Sequence, residues 1–296
     1  MLAKEQARRI EKKDGSWYVN NSGLDLIQTC FRKASYIFGK PESESKSLAM
    51  EFGSAIHVAL KRFYQTSSRD DSLLQQMIKD FTDSADQIVK DVAEGERRSI
   101  KNGCDILTVF FNTYKNDPWE VYVDEHGPFV ERKFEVKIGE NLFFFGTIDT
   151  LLKNRETGEL CVFDHKTASS LGNQFATKGD VNHQLTGYIF ACQQMGIPVT
   201  RGAFQGLKVV KTLKSMEVMR TFIARSPENI SEWMEWVYHT VIAWEMANKT
   251  KNFPMNGSQA CNLYSGCQYL SVCAAPKQFR EQLLNDMNDK NTGDEE

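Results

Sequence analysis

GTIDTLL at 146–152, CVFDHKT at 161–167 and HQLTGY at 183–188 are the segments on which the reading of this chain turns. The first two are apolar runs of strand length, each carrying an aspartate, Asp149 and Asp164. A turn around 154–158 joins them, so a hairpin can bring Asp149 beside Asp164. Asp164 and Lys166 are two apart and share a face on a regular strand. Paired carboxylates with oxygen ligands favour Mg²⁺ or Mn²⁺ over zinc. Lys166 is then placed to orient water at the metal or to stabilise charge developing on a phosphate. The backbone carbonyl of His165 is a further candidate ligand, its side chain facing away. Gln184 and Tyr188 are four apart on a predicted helix and face one way. Gln184 can donate to a phosphate or to water. Tyr188 can bond Lys166 or stack on a nucleotide.

Upstream, VERKFEVKI at 130–138 alternates with a period of two, as a half-buried strand does. With the runs at 142–152 and 160–164 it predicts a three-stranded meander. Glu131 in the first strand either adds a carboxylate to the site or belongs to a solvated face. Before Pro118 the pattern is helical. Helices are expected from Ser22 through Ala34, with Cys30 inside, and at 48–64, 70–91 and 104–114. Residues 1–20 read as polar and frayed, and 41–47 as a break. The charged cluster EGERRS at 94–99 interrupts the helical pattern. In the second helix Gly53 would allow close approach of another backbone. His57, four residues on, is either a metal ligand or a satisfied core histidine. Downstream, 169–179 reads as a flexible loop able to close over substrate. A helix at 181–195, strands at 201–210 and 215–223 and a long helix at 228–246 follow. Lys208, Lys211, Lys214, Arg201 and Arg220 can neutralise phosphates or line a solvated hairpin edge.

The chain of 296 residues is 41% hydrophobic and 25% charged, with formal net charge -3, so bulk charge does not announce a nucleic-acid partner. A local basic groove would suffice. No run of eighteen apolar residues suggests a membrane span. The opening residues MLAKEQARRIEKK lack the apolar core of a secretory signal. A cytoplasmic protein is therefore expected. Seven cysteines are too few for a disulfide scaffold in a chain this long. Cys104, Cys161 and Cys192 sit in apolar surroundings. Cys261, Cys267 and Cys273 are separated by steps of five intervening residues, unlike a zinc knuckle. An all-thiolate site there would hold zinc or an iron–sulfur centre.

Taken in order, His57, the Gly-x-Ile-Asp ending at Asp149, the Asp164-x-Lys166 pair and the Gln184-x-x-x-Tyr188 pair resemble the PD-(D/E)xK nuclease superfamily. Within it they resemble the RecB-type exonuclease branch, with its CRISPR-associated and phage iron–sulfur exonucleases. The resemblance runs from Cys30 to Cys273. It implies an α/β fold: a restriction-endonuclease-like mixed β-sheet core flanked by helices, with a helical N-terminal region and a cysteine-bound C-terminal segment. The expected division is a helical region at 1–118 carrying Cys30 and His57, a nuclease core at 119–250, a cysteine-rich cluster-binding segment at 251–280 and a disordered tail at 281–296. The family implies metal binding by His57, Asp149 and Asp164 and a lysine essential to hydrolysis.

In that branch one cysteine before the core and three after it often hold a 4Fe-4S cluster. Cys30, Cys261, Cys267 and Cys273 match that order, with zinc as the second occupant. The five-residue step between Cys261 and Cys267 departs from the two-residue step of many relatives. The implied function is a metal-dependent exonuclease acting on linear DNA with metal-activated water, in replication, recombination or repair. A helicase or a single-strand-binding or annealing protein is a possible partner, and a bacterial or phage-infected cell the setting. The alternatives are an endonuclease of the same superfamily and a non-catalytic DNA-binding subunit stabilised by an iron–sulfur cluster.

Overall fold

The computed structural model describes residues 10–39, 47–257, 259–262 and 266–292. The elements in chain order begin with β1 (Glu11–Lys13), β2 (Ser16–Val19), α1 (Asn21–Thr29), α2 (Phe31–Phe38), α3 (Leu48–Gln65), α4 (Asp71–Ser84), α5 (Gln87–Lys90) and α6 (Ile100–Tyr114). Six strands and two helices follow: β3 (Trp119–Val121), β4 (Val123–Asp124), β5 (Gly127–Pro128), β6 (Val130–Gly139), β7 (Leu142–Asn154), β8 (Leu160–Ala168), α7 (Asn173–Ala176) and α8 (His183–Gln194). The remainder is β9 (Arg201–Lys208), β10 (Glu217–Ala224), α9 (Pro227–Thr250), α10 (Gln259–Asn262), α11 (Leu270–Ala274) and α12 (Arg280–Thr292).

The chain divides into two compact units. One comprises Lys46–Val136 and Gly146–Trp233. Its sheet is mixed: β8 runs antiparallel to β7 and parallel to β9, and β10 returns antiparallel to β9. β3 pairs with the far end of β7. The parallel pair β8–β9 needs a crossover, and α8 lies in that connection. Cys161 to His165 of β8 are all buried, as expected of a strand covered on both faces. The apolar faces of α3, α4 and α6 meet in a core of Phe52, Phe63, Phe81, Phe110 and Phe111, joined by β8 through Phe163. Phe63 and Phe110 pack edge to face with ring centroids 5.1 Å apart, a geometry favoured by the aromatic quadrupole.

The other unit comprises the described parts of Met1–Ser45, Lys137–Phe145 and Met234–Glu296. There β2 pairs antiparallel with β1 and parallel with the first residues of β7, from Trp17 opposite Leu142 to Val19 opposite Phe144. α1 is capped by Asn20, whose side-chain oxygen accepts from the Gly23 amide at 2.8 Å. α1 and α2 are tied to the C-terminal part of the chain by Gln28 donating to Thr240 at 2.6 Å and Arg32 donating to the Phe253 carbonyl at 3.2 Å.

Several sequence expectations are corrected. Residues 11–19, read as frayed, form a hairpin. Cys30 lies between helices in extended backbone. The helix expected over 70–91 breaks at Ala85, and Asp86 caps a separate turn of helix. Residues 1–9, the break at 41–46 and the last four residues lie outside the described residues.

The cysteine-bound C-terminal segment is also corrected, and with it the 4Fe-4S cluster and its zinc alternative. Among the described residues, the group of metal-ligating side chains close enough to share an ion is His57, Glu131 and Asp149. Cys30, Cys261, Cys267 and Cys273 face one small hollow, but no three of their sulfurs come within the 4.8 Å that unites that group. All four are free thiols. Burial raises the Cys273 pKa, opposed by Arg32, so that thiol keeps its proton. Spacing along the chain set the order of the thiols and said nothing of the distances between sulfurs.

Two mid-helix glycines give opposite predictions. A Cβ at Gly103 of α6 would overlap the buried Phe81 ring, whereas one at Gly53 of α3 meets only Thr167 Oγ1 at 3.9 Å. The close backbone approach expected at Gly53 is therefore absent. Gly53→Ala should stabilise by up to ~1 kcal/mol through helix propensity. Gly103→Ala should cost ~1–3 kcal/mol from overpacking. Urea melts of the two variants check the sign.

Candidate metal centre

β7 and β8 pair antiparallel as far as Thr150 opposite Phe163. Asp149 and Asp164 are the next residues outward on each strand. Regular pairing stops there, and the His165 amide donates at 2.8 Å to the carboxylate of Asp149. The side chain thus takes a donor that the ladder would otherwise use. Asp149 and Asp164 are both buried.

His57 reaches this point from the edge of the buried face of α3. Its Nε2 lies 3.0 Å from the His165 carbonyl oxygen. A carbonyl only accepts, so Nε2 carries the hydrogen, and in the neutral ring Nδ1 presents its lone pair. Nδ1 lies 3.4 Å from Glu131 Oε1 and 3.6 Å from Asp149 Oδ2. One ligand atom from each of His57, Glu131 and Asp149 falls within 4.8 Å of the others. Glu131 adopts φ +49°, a left-handed conformation uncommon for a residue with a side chain. Such conformations persist where the surroundings enforce them and are often found at functional sites.

Asp164 stands beside this group and is not part of it. Its Oδ2 lies 2.7 Å from Lys166 Nζ, with the Asp164 side chain 2% exposed and that of Lys166 32% exposed. The carboxylate is therefore inside and the ammonium at the mouth. The His165 side chain points the other way. Its ring stacks on Tyr64 at 5.4 Å and 14°, and Nε2 lies 3.3 Å from Thr150 Oγ1. Gln184 and Tyr188 share a face of α8. Gln184 Nε2 donates to the Tyr188 hydroxyl at 3.0 Å. The Tyr188 ring meets Phe134 edge on, and Gly146 leaves the room that lets Phe134 lie against β7.

The electrostatics follow from crowding acids where water is scarce. Burial raises the Asp149 pKa, against the pull of His57, and Glu131 raises it further. Burial also raises Asp164, to about 6, with Lys166 opposing and Asp149 adding. Burial alone would lower His57, but Asp149 and Glu131 outweigh it and raise its pKa to about 9. Burial, then Asp164 and Asp149, raise the Tyr188 phenol well above its usual value, so it stays protonated. Two carboxylates and one imidazole nitrogen form a set of hard and borderline donors suited to a divalent cation such as Mg²⁺ or Mn²⁺. The donor set fits such an ion, and its charge would relieve the repulsion among the acids.

Two further side chains near the site were little signalled in the sequence. Glu131, which the sequence left open between an added carboxylate and a solvated face, sits with His57 and Asp149. Lys178 lies in the segment read as a flexible loop. Its ammonium sits 5.4 Å from the Phe204 ring centroid, beside Lys166 at 6.0 Å from the same ring. Burial and then the Lys166 charge lower the Lys178 pKa. That segment is pinned: Leu171 and Phe175 are buried against Gly206, where a Cβ would not fit, and Arg225 donates to the Gly179 carbonyl at 2.7 Å. Of the cations singled out for DNA, Arg220 is buried and paired with Asp117. Arg201, Lys208 and Lys211 pair with Glu159, Glu217 and Glu96.

Comparison with known proteins bears on this arrangement. The sequence profile of the PD-(D/E)XK nuclease superfamily matches residues 19–274. A protein of Eubacterium rectale provisionally called an exonuclease has a similar structure, with TM-score 0.50 and 14% identity over 88% of this chain and 94% of its own. At that identity the likeness concerns the fold. The protein SSO0001 (TM-score 0.30, 11% identity, 75% of this chain and 86% of its own) is more distant. So is LHK-Exo in complex with dAMP (TM-score 0.29, 13% identity, 69% of this chain and 96% of its own). No curated protein matches the chain.

A cation entering this site competes with the proton on His57. Apparent Mn²⁺ affinity should therefore rise with pH, approaching tenfold per unit, and level off above about 9, where the imidazole is already neutral. Below about 6 the rise should steepen, because Asp164 protonates as well. Calorimetric titration in buffers of different ionisation enthalpy should find about one proton released per Mn²⁺ near neutrality. His57→Gln should abolish that release.

Proposed function

The chain belongs to the PD-(D/E)XK nuclease superfamily, and from that premise we propose that it is a metal-dependent exonuclease of the RecB-type branch, degrading linear DNA from an end. The observation that carries the reading is the close group of His57, Glu131 and Asp149 next to the Asp164–Lys166 pair. In this reading His57, Asp149 and Asp164, with the His165 carbonyl, hold the ion, and Glu131 joins them. Mg²⁺ or Mn²⁺ bound there would supply Lewis-acid polarisation of the phosphate and a nucleophile at neutral pH.

The protein residues do the rest. Asp149 and Asp164 set the negative charge that defines the site. Lys166, at the mouth, meets the developing charge on the phosphate, where a positioned cation acts with little reorganisation. Its pairing with Asp164 keeps the ammonium aimed inward. Gln184 orients the Tyr188 hydroxyl, and the protonated phenol has a hydrogen to offer to a phosphate oxygen. The nuclease core expected at 119–250 thus draws one ligand from the helical region ahead of it. A helicase or annealing partner, in the cytoplasm of a bacterial or phage-infected cell, belongs to the same proposal.

End-labelled linear DNA incubated with Mg²⁺ or Mn²⁺, beside a closed circle, tests the reading. A product ladder from the linear form with the circle intact is expected. Cutting of the circle would point to an endonuclease, and no cleavage of either would defeat the proposal. Lys166→Ala should lower kcat by about 10²–10³-fold, the scale for losing one preorganised transition-state contact. Unchanged activity in that variant would remove Lys166 from the mechanism.

A further inference from the structure

The charged cluster at 94–99 found no role in the site described above. In the structure it forms one wall of an open hollow of about 790 Å³. Arg97, Arg98, Lys211, Glu96 and Ser169 line it, with Leu48 at the start of α3 on the apolar side. Ser169 follows β8 directly, and Lys211 lies just beyond β9. Those two strands are parallel neighbours, paired to Ala168 opposite Lys208. Ligands of open α/β sheets favour the space beyond the carboxyl ends of the strands. Ser169 is three residues past Lys166, so at strand rise the hollow begins roughly 10 Å from the lysine.

The charges are unbalanced. Three cations face one carboxylate, and that carboxylate, Glu96, is engaged by Lys211 at 2.8 Å. Arg97 and Arg98 are half-buried, and neither guanidinium meets an acid or a hydrogen-bond acceptor among the described residues. Burial, and then the neighbouring Arg97 charge, lower the Arg98 pKa. Partly desolvated cations held together without an anion are costly, and a bound phosphate would relieve that cost. Arginine is suited to this use, because its planar fork meets phosphate oxygens two at a time. The cations expected from the sequence to meet DNA are largely tied to acids, whereas these two are not.

We propose that the Arg97–Arg98 hollow binds backbone phosphates of the DNA strand whose scissile bond lies at the metal centre. The proposal rests on the nuclease reading for its substrate. The roughly 10 Å between Lys166 and the hollow keeps it within a few phosphates of the scissile bond. The hollow would thus set where the strand lies on one side of the bond being cut.

The test separates binding from cleavage. Fluorescence anisotropy with labelled single-stranded and duplex oligonucleotides, in Ca²⁺ or EDTA, is followed as a function of salt. Arg97→Gln/Arg98→Gln should weaken binding about tenfold or more and should flatten the plot of log K against log salt by about 1.4–1.8, from 0.7–0.9 per phosphate contact for two arginines. Arg97→Lys/Arg98→Lys, which keeps the charge, should restore most of the slope. Lys79→Gln on α4, outside the hollow, should leave both unchanged, and melting temperatures should establish that each variant is folded. A double Gln variant with wild-type affinity and slope would overturn the proposal, as would a wild-type protein that binds neither oligonucleotide. If wild type binds DNA with the expected slope change but never cleaves it, the nuclease reading fails and the hollow stands. If wild type cleaves DNA and the slope is unmoved, the hollow falls and the nuclease reading stands.

Discussion

Everything at the candidate site follows from carboxylates held inside a sheet. Asp149 and Asp164 lie within two long strands, just past the point where the regular pairing of those strands ends. Isolated charges there would carry a large desolvation penalty. The structure offsets it with a few specific partners: the His165 amide and the His57 imidazole for Asp149, and the Lys166 ammonium for Asp164. Burial nevertheless outweighs the pull of these partners, so the carboxyl pKa values stay raised. A centre poised in this way is an attractive place for a divalent cation.

The strand that carries Asp164 and Lys166 is supported from behind. Tyr64, seven residues after His57 on α3, stacks on the His165 ring and donates its hydroxyl to Gln205 Oε1 at 3.1 Å. Arg220 donates to the same oxygen at 3.1 Å and pairs with Asp117. Arg220 also lies over the Tyr114 ring at 4.0 Å. Breaking one side of a buried ion pair generally costs ~3–5 kcal/mol, so this layer has little freedom to shift. One helix therefore grips β8 twice, once at the His165 carbonyl through His57 and once at the His165 ring through Tyr64. The chemistry at the front and the packing at the back are joined through a single residue of the strand.

Much of this was legible along the chain because the relevant signals are local. The aspartates stand out in apolar strands, and an Asp-x-Lys pair projects on one face whatever surrounds it. Gln184 and Tyr188 share a helical face for the same reason. Glu131 was harder to read, since alternation in a half-buried strand is satisfied by any polar residue. Its selection depends on a backbone turned to positive φ, which no pattern announces. Lys178 reaches the site because Leu171 and Phe175 pin a polar segment onto Gly206. The cysteines show the reverse error: their order along the chain matched a familiar arrangement, but among the described residues no three sulfurs lie close enough to form a ligand set like that of His57, Glu131 and Asp149. Cys30 lies at a helix break because its extended backbone interrupts α1 and α2, although the apolar spacing runs through both.

By itself, the sequence determined the element types around the site, the strand-borne acid pair with its lysine and the faces those side chains share. These depend on periods of two and of about 3.6 residues, properties of the backbone alone. Only the tertiary structure decided which acid joins His57 and Asp149, which cations are tied to acids and which are left open, and how far apart the thiols lie. Those outcomes depend on distances between residues remote in sequence, and such distances are set by packing.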